Sequence, residues 1–166
     1  MRKLIALLLV IAIAVGGWWY ASPLMTLKSM RDAGLAGDAE AVSAHIDYPA
    51  LREDMKKEMS LLIARQAQTD PGPLGEAGTA FAQSIISPMV DRLITPESMA
   101  EMFDATRQAQ GAPLPALGGE KELEIDRQSL NRFTARAEGE EAGLEFARDG
   151  LSWKLVGVDV GEGSSL

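Results

Sequence analysis

The chain has 166 residues, a formal net charge of −8 and no cysteine. The lack of cysteine excludes disulfide bonds, thiolate nucleophiles and cysteine-ligated metals. When Arg2 and Lys3 are set aside, the remainder carries 14 basic and 24 acidic residues. This negative balance argues against nucleic acid as a partner, because nucleic-acid recognition needs a basic face. It also argues against a domain that lies flat on an anionic lipid surface.

The N-terminal twenty residues predict a membrane anchor. Arg2 and Lys3 precede an uncharged run from Leu4 to Tyr20, and seventeen helical residues span about 26 Å, close to a thin hydrocarbon core. The run ends in Trp18, Trp19 and Tyr20, whose rings suit the membrane–water interface. Two cations before such a run keep the N-terminus in the cytoplasm. We therefore predict a single pass through the inner membrane, with the following domain in the periplasm.

A cleaved secretory signal is the alternative interpretation of the same segment. Small residues at positions 12–14 and 14–16 fit a cleavage site, but cutting there would leave an apolar region of only about ten residues. The bulky aromatic residues that follow Gly17 are poorly suited to a peptidase pocket. Cleavage would make the protein secreted, and lipidation at a lipobox cysteine is excluded because the chain has no cysteine.

After the anchor, helical signals follow one another along the chain. Apolar residues near helical spacing predict that the first helix continues outward until Gly34 and Gly37 end it. Asp38 is a good N-cap for a short helix, and Asp47 precedes a second start. The inward faces that this spacing predicts are Leu24, Leu27, Met30 and Leu35 in the first helix, Val42 and Ile46 in the short helix, and Leu51, Met55, Met59, Leu62 and Ile63 in the next.

Two more helices are predicted beyond a loop at residues 69–75. The first carries Phe81, Ile85, Met89 and Leu93 every four residues, and Pro88 predicts a kink or a split at Ser87. Thr95-Pro96-Glu97 is a clear helix start, followed by Met99, Met102 and Phe103 on an inward face. The methionines of all these helices are interpreted as gap-filling core residues rather than as the lining of a binding groove.

The final forty residues change from a helical period to a period of two. Alternation predicts strands around Phe133–Ala137, Leu144–Phe146 and Leu151–Leu155, and Leu123–Ile125 is a candidate fourth strand. Val156, Val158 and Val160 continue in the other phase, which predicts an irregularity at Gly157. Residues 138–141 and 148–150 are predicted turns. The fold class is therefore α+β: an N-terminal transmembrane helix, then a helical half packed on a C-terminal antiparallel sheet of three to four strands.

The predicted organisation has one anchor and one exported domain. Residues 1–21 form the anchor, and residues 22–160 form a single α+β domain. Within that domain, residues 22–109 are the helical half, 110–120 a linker and 121–160 a β-meander. Residues 161–166 form a flexible, Gly- and Ser-rich tail.

The order of these features resembles a bacterial family known as domain of unknown function DUF2939. The segments that carry the resemblance are Trp19–Pro23, Met30–Ala33, Gly37–Ala41, Asp47–Arg52, Leu93–Glu97 and Gly150–Leu155. Together they span nearly the whole exported domain. The resemblance implies a bacterial envelope protein and implies no activity, cofactor or catalytic residue. The architecture alone is also similar to the nuclear-transport-factor-like fold, which closes on a similar Gly-x-x-Trp-Lys-Leu strand, but a likeness of fold does not supply a function.

No catalytic motif stands out in the chain. His45 is the only histidine, and a lone His-x-Asp has too few partners for a metal site or a hydrolytic triad. Glu138, Glu140 and Glu141 form an acidic cluster that is typical of a solvated turn, without the Asp-rich spacing of a calcium loop. We predict no catalytic, cofactor-binding or metal residues. The site residues are Trp18, Trp19 and Tyr20 at the membrane interface and Trp153 as the core anchor of the sheet.

Three hypotheses follow for the function. The preferred one is a non-enzymatic, membrane-tethered domain that binds an envelope protein or an apolar ligand. The alternative is a hydrolase or isomerase that uses carboxylates alone, in a pocket between helices and sheet. The third is a structural role in which the anchor pairs in the membrane through Gly16 and Gly17, although the usual four-residue spacing of small residues is missing.

Overall fold

The computed structural model describes residues 2–69, 75–108 and 123–161 of the chain. Five helices precede four strands. In chain order they are α1 (Arg2–Ala36), α2 (Ala39–Ser43), α3 (Tyr48–Thr69), α4 (Gly75–Leu93), α5 (Pro96–Gln108), β1 (Leu123–Ser129), β2 (Arg132–Ala137), β3 (Gly143–Asp149) and β4 (Ser152–Asp159). The predicted α+β class, with a long apolar helix first and an antiparallel sheet last, is confirmed.

The predicted end of α1 and the predicted starts of α2, α3 and α5 are confirmed by their capping bonds. Gly37 adopts a φ of 69°, and the Asp38 N–H donates to the Ala33 carbonyl at 2.9 Å, which is the closing bond of a Schellman motif. The Asp38 carboxylate accepts from the Ala41 N–H at 2.9 Å. The Asp47 carboxylate caps α3 in the same way, and the Thr95 hydroxyl accepts from the Ser98 N–H at the start of α5.

The sheet is an antiparallel meander in the order β1-β2-β3-β4. The fourth strand, predicted at Leu123–Ile125, is therefore confirmed. In a meander, the β1–β2 and β3–β4 turns lie at one end and the β2–β3 turn lies at the other. The predicted irregularity is confirmed beside Gly157, because Glu145 pairs with Gly157 while Phe146 pairs with Leu155, which leaves Val156 as a bulge.

The core lies between the sheet, the second half of α1, and helices α2, α3 and α5. Phe133 stacks on Phe146 with ring centroids 4.8 Å apart, and Trp153 meets Phe133 edge-on at 4.9 Å. The other buried members are Leu27, Met30, Val42, Ile46, Leu51, Phe103, Ala135, Leu144 and Leu155. The sheet thus contributes three buried aromatic rings to the core, and such rings bury large apolar areas.

Helix α1 has two halves in very different surroundings. The side chains from Leu4 to Ile13 are all exposed, and an 18-residue window of this helix is long and apolar enough to cross a membrane. From Ser22 onward the same helix contributes buried residues, and Leu27 and Met30 belong to the core. The apolar segment and the domain therefore share one uninterrupted helix.

The apolar residues that recur every four positions in α4 lie on its exposed side. Phe81, Ile85 and Leu93 are exposed, and the buried residues are Ile86 and Val90. Apolar residues occupy two adjacent stripes of this helix, so a four-residue period fits either stripe. The sequence predicts a kink or a split at Ser87. The helix continues through Pro88, so the split is wrong and the kink stays a prediction, and one missing backbone bond is tolerated there.

Other apolar predictions hold only in part. The predicted inward residues Leu24 and Leu35 of α1, Leu62 of α3 and Met102 of α5 are exposed. Of the helical methionines, Met30 is buried, Met55, Met59 and Met99 are half-buried, and Met25 and Met89 are exposed. Leu151 belongs to the β3–β4 turn and is also exposed. Each of these helices buries only one row of its apolar side chains against the core. The other apolar side chains are left to contact solvent or a partner.

Several predictions concern segments outside the described residues. They are most of the predicted loop at 69–75, the linker at 110–120 and the tail beyond Gly161. Thr69 and Gly75 themselves are the last residue of α3 and the first of α4. The division of the chain into anchor, single domain, linker and tail stays a prediction.

Candidate functional site

Where α1 leaves its apolar half, an arginine from the sheet is held between two tryptophans. The guanidinium carbon of Arg148 lies 3.6 Å from the ring centroid of Trp19 and 4.2 Å from that of Trp153. Its Nη2 donates to the Ser22 hydroxyl at 3.2 Å. We call the four residues Trp19, Ser22, Arg148 and Trp153 the clamp. Cation–π contacts of a desolvated arginine are among the stronger ones, at about 2 kcal/mol.

The Ser22 hydroxyl forms hydrogen bonds with the other three residues of the clamp. It accepts from Nε1 of Trp153 at 2.9 Å and donates to the Trp19 carbonyl at 3.0 Å. That carbonyl would ordinarily accept from the N–H four residues on, but position 23 is a buried proline that has no N–H. Ser22 thus satisfies a carbonyl that Pro23 leaves without its helical partner, and it satisfies the buried indole N–H at the same time.

The Arg148 guanidinium is only partly satisfied by hydrogen bonds. Its Nε and Nη1 are buried and have no hydrogen-bond partner among residues 2–69, 75–108 and 123–161. Burial, followed by the charge of nearby Arg127, lowers the pKa of Arg148. An arginine nevertheless stays charged in proteins, so the two indole rings take over part of the stabilisation that water would give.

A second arginine contacts the same end of the helix. The guanidinium carbon of Arg127 lies 4.4 Å from the ring centroid of Tyr20, and its Nη2 donates to the Tyr20 carbonyl. Arg127 comes from β1 and Arg148 from β3, so two strands of the sheet are tied to neighbouring residues of α1. These contacts fix the orientation of the sheet relative to the apolar half of the helix.

A separate cleft lies between α3 and the sheet. It has a volume of about 470 Å³ and is open to solvent. Its lining is mostly charged: Glu53, Asp54, Lys57, Arg132 and Glu145, with Ala50 and Val156. Ligand pockets are usually concave and mostly apolar with a few polar groups, and the charged lining of this cleft is different.

Two carboxylates of the cleft have different surroundings. Burial, followed by the charge of Asp54, raises the pKa of Glu145, and the Arg132 guanidinium opposes this at 3.7 Å. The Asp54 carboxylate accepts from the Val158 N–H at 3.0 Å and lies against Gly157, where a β-carbon would come within 2.3 Å of it. Asp54 therefore holds the β4 bulge, whereas burial raises the proton affinity of Glu145.

The predicted site residues lie in three places. Trp19 and Trp153 meet through Arg148, Tyr20 meets Arg127, and Trp18 is exposed beside them. Trp153 is 1% exposed. The acidic residues at 138–141 lie in the exposed β2–β3 turn, and within the described ranges no group of three His, Asp or Glu side chains is placed to hold a metal ion.

His45 has a local structural role. Its Nε2 lies 3.2 Å from the Ser29 hydroxyl, and its carbonyl accepts from the Leu155 N–H. Burial, followed by the charge of Lys154, lowers the pKa of His45. These contacts join α1 to β4 at a second point, which lies further along both elements than the clamp.

Sequence reasoning missed Ser22, Arg127 and Arg148. Arg148 was predicted to be in a turn, but it pairs with Trp153 as the penultimate residue of β3. The clamp could have been predicted only from the pairing of β3 with β4. A tryptophan and an arginine that lie directly opposite each other on neighbouring strands can both contact the same residue of an adjacent element.

The comparisons with known proteins give one match. The family described as "Protein of unknown function (DUF2939)" matches residues 12–102, which is more than half of the chain and covers the end of the apolar segment through most of α5. The sheet lies outside the matched range. No curated protein and no solved structure matches the chain. The resemblance seen in the sequence is confirmed, and the chain belongs to the DUF2939 family.

Proposed function

We propose that this protein is a membrane-tethered interaction module of the bacterial envelope. Its N-terminus lies in the cytoplasm, α1 crosses the inner membrane once, and the α+β domain binds an envelope protein in the periplasm without catalysing a reaction. Arg2 and Lys3, which directly precede the apolar run, support this orientation through the positive-inside rule.

The observation that carries the proposal is the division of α1 into an exposed apolar half and a buried half. Cleavage after Ala14 or Gly16 would leave Trp19 only a few residues from a new N-terminus, where helix ends fray. Trp19 is one wall of the clamp. Retention of the segment keeps the clamp on a continuous helix, which favours an anchor over a cleaved signal.

The tether has a direct test in the mass and topology of the mature protein. We expect the intact mass of the protein purified from membranes to include Met1–Tyr20. A Glu138→Cys variant should react with a membrane-impermeant maleimide once the outer membrane is permeabilised, because the chain has no other cysteine and this position is exposed. A mass that lacks the first fourteen to sixteen residues, or labelling only after cell lysis, would reject the proposal.

The surface that supports protein binding is the outward stripe of α4, which consists of Phe81, Ile85, Met89 and Leu93. Their side chains are 66%, 47%, 40% and 62% exposed. Exposed apolar side chains on successive turns of one helix are typical of interaction faces. Leu61 and Leu62 of α3 are also exposed and belong to the helix that packs beside α4.

Site-specific photo-crosslinking in intact cells tests this surface. A photoreactive phenylalanine at position 81 or 85 should give one discrete adduct of constant mass. The same residue at position 35, where Leu35 is equally exposed at the end of α1, is the matched control and should give none. Equal adducts at all three positions, or none at any, would contradict binding through α4. An apolar ligand would instead be found by extracting the purified protein with organic solvent.

The raised pKa of Glu145 favours a second candidate function. A carboxyl group whose proton affinity is raised by burial and by a neighbouring carboxylate can act as a general acid. The cleft would then serve a hydrolase or isomerase reaction with Glu145 as the acid. If any ester, glycoside or amide substrate is turned over, Glu145→Gln should abolish turnover and Glu138→Gln, outside the cleft, should not. Equal activity of both variants would remove this candidate.

A further inference from the structure

Two β-turns of the sheet lie at the end where α1 changes from apolar and exposed to buried. The β1–β2 turn presents Leu130 and the β3–β4 turn presents Leu151, with side chains that are 76% and 73% exposed. The turn at the opposite end of the sheet consists of Glu138, Gly139, Glu140 and Glu141. The two ends of the sheet therefore differ in apolar character as well as in charge.

The level of Leu151 relative to α1 can be worked out from the clamp. Trp153 meets Ser22, and β4 runs in the same sense as α1, since His45 bonds to Ser29 as well as to Leu155 further along both elements. Leu151 precedes Trp153 by two residues, which is about 6 Å in a strand. Six ångströms along α1 is about four residues, which leads from Ser22 back to Trp18. Leu151 thus reaches the level at which the apolar run ends.

Basic charge accompanies the two leucines. The segments 127–132 and 148–152 contain Arg127, Arg132 and Arg148 against a single acidic residue, Asp149. Arg148 is enclosed by the clamp and Arg132 is paired with Glu145 of the cleft at 3.7 Å, and the Arg127 side chain is exposed. The overall negative charge of the domain, which argued against contact with lipid, is therefore unevenly distributed, and the end that adjoins the anchor is locally positive.

We infer that the domain rests on the outer surface of the membrane that its own α1 spans, with Leu130 and Leu151 inserted at the headgroup level and Arg127 contacting lipid phosphates. The inference rests on the proposed tether. Apolar tips combined with arginines match the chemistry of a phospholipid interface, where apolar side chains enter the acyl boundary and cations meet phosphate. The clamp and the Arg127–Tyr20 contact keep these tips directed at the bilayer.

The test uses the full-length protein in vesicles of phosphatidylcholine and phosphatidylglycerol. The cysteine-free chain allows one environment-sensitive fluorophore per molecule, through Leu130→Cys, Leu151→Cys, Glu138→Cys or Val10→Cys. We expect labels at 130 and 151 to show blue-shifted emission and quenching by lipids that are spin-labelled near the headgroup. The label at 138 should show neither. The label at 10 should be quenched by a spin label deep in the acyl chain, which reports the tether separately.

A second set of variants separates docking from the effect of the label. Leu151→Asp should reduce headgroup quenching of a label at position 130, while Leu35→Asp, an equally exposed leucine on the far part of α1, should leave it unchanged. If position 10 is quenched but positions 130 and 151 behave like position 138, the tether stands and docking is overturned. If position 10 is not quenched, the tether itself fails, and docking fails with it.

Discussion

The Ser22 hydroxyl offers the sharpest test of the clamp, through the substitution Ser22→Ala. The change deletes one buried oxygen and adds no bulk. It leaves Nε1 of Trp153 and the Trp19 carbonyl without their partners, and it removes the only hydrogen bond that Nη2 of Arg148 makes to α1. All the other packing contacts of the clamp remain, so the measured loss reports these bonds.

The expected loss of folding free energy follows from the hydrogen bonds that each group loses. A buried donor left unsatisfied costs about 1–3 kcal/mol, and a hydrogen bond to a charged group contributes about 1.5–3 kcal/mol. Because a water molecule that enters the space of the deleted hydroxyl can bond to part of these groups, we expect a total of about 2–4 kcal/mol. A domain of this size has a urea m-value of about 2 kcal/mol/M, so the unfolding midpoint should fall by about 1–2 M.

The assay is urea unfolding of the full-length protein in mild detergent, followed by tryptophan fluorescence. Ser29→Ala is the matched control, because Ser29 lies on the same helix and bonds only to the exposed edge of His45; it should change stability by less than about 0.5 kcal/mol. In a Trp153→Phe background, which lacks the indole N–H, Ser22→Ala should cost about 1–2 kcal/mol less. A Ser22→Ala loss no larger than that of Ser29→Ala would refute the role given to this hydroxyl.

Three further predictions concern the core, the bulge and the cleft. Phe133→Ala should destabilise the domain by about 3–5 kcal/mol in urea unfolding, whereas Phe81→Ala on the exposed stripe should change stability by less than about 0.5 kcal/mol; similar losses would contradict the assigned burial. Gly157→Ala should cost about 1–3 kcal/mol by overpacking, because its β-carbon would lie 2.3 Å from the Asp54 carboxylate, and the same change in an Asp54→Ala background should cost clearly less. Burial and Asp54 raise the pKa of Glu145 in the folded state, so the folded protein binds more protons than the unfolded chain between the two pKa values and stability falls as pH rises through that window. Glu145→Gln should therefore be more stable than the parent at pH 7 and lose this advantage below the ordinary glutamate pKa of about 4.3; a constant difference across pH would contradict the shift.

The sheet and the helix ends were predictable because their signals are local. Strand alternation fixes which side chains of Phe133–Ala137 face the core, and each helix start is set by one capping side chain such as Asp38 or Thr95. The extra residue at Val156 was also foreseen, since the apolar phase changes there. These features depend on neighbours within a few positions along the chain.

The clamp and the face of α4 were not predictable, for two different reasons. The clamp joins positions 126–131 residues apart, and only the register of β3 against β4 brings Arg148 beside Trp153. In α4, Ile85 and Ile86 stand side by side, and so do Met89 and Val90, so two apolar stripes compete and tertiary packing chooses one. The cleft was expected as a pocket between helices and sheet, but the contact of Asp54 with Val158, 104 residues further along the chain, is a tertiary contact.

If α1 spans the membrane as proposed, its unbroken course also sets the direction in which the domain faces around the membrane normal. An α-helix turns about 100° and rises about 1.5 Å with each residue, so every side of the embedded segment corresponds to one fixed direction of α4. A neighbouring protein that contacts one side of the embedded helix would meet only one side of the domain. One alanine inserted after Gly17 would turn α4 by about 100° relative to such a neighbour. Seven inserted residues make close to two full turns, so they would restore the direction of α4 and move the domain about 10 Å further from the membrane.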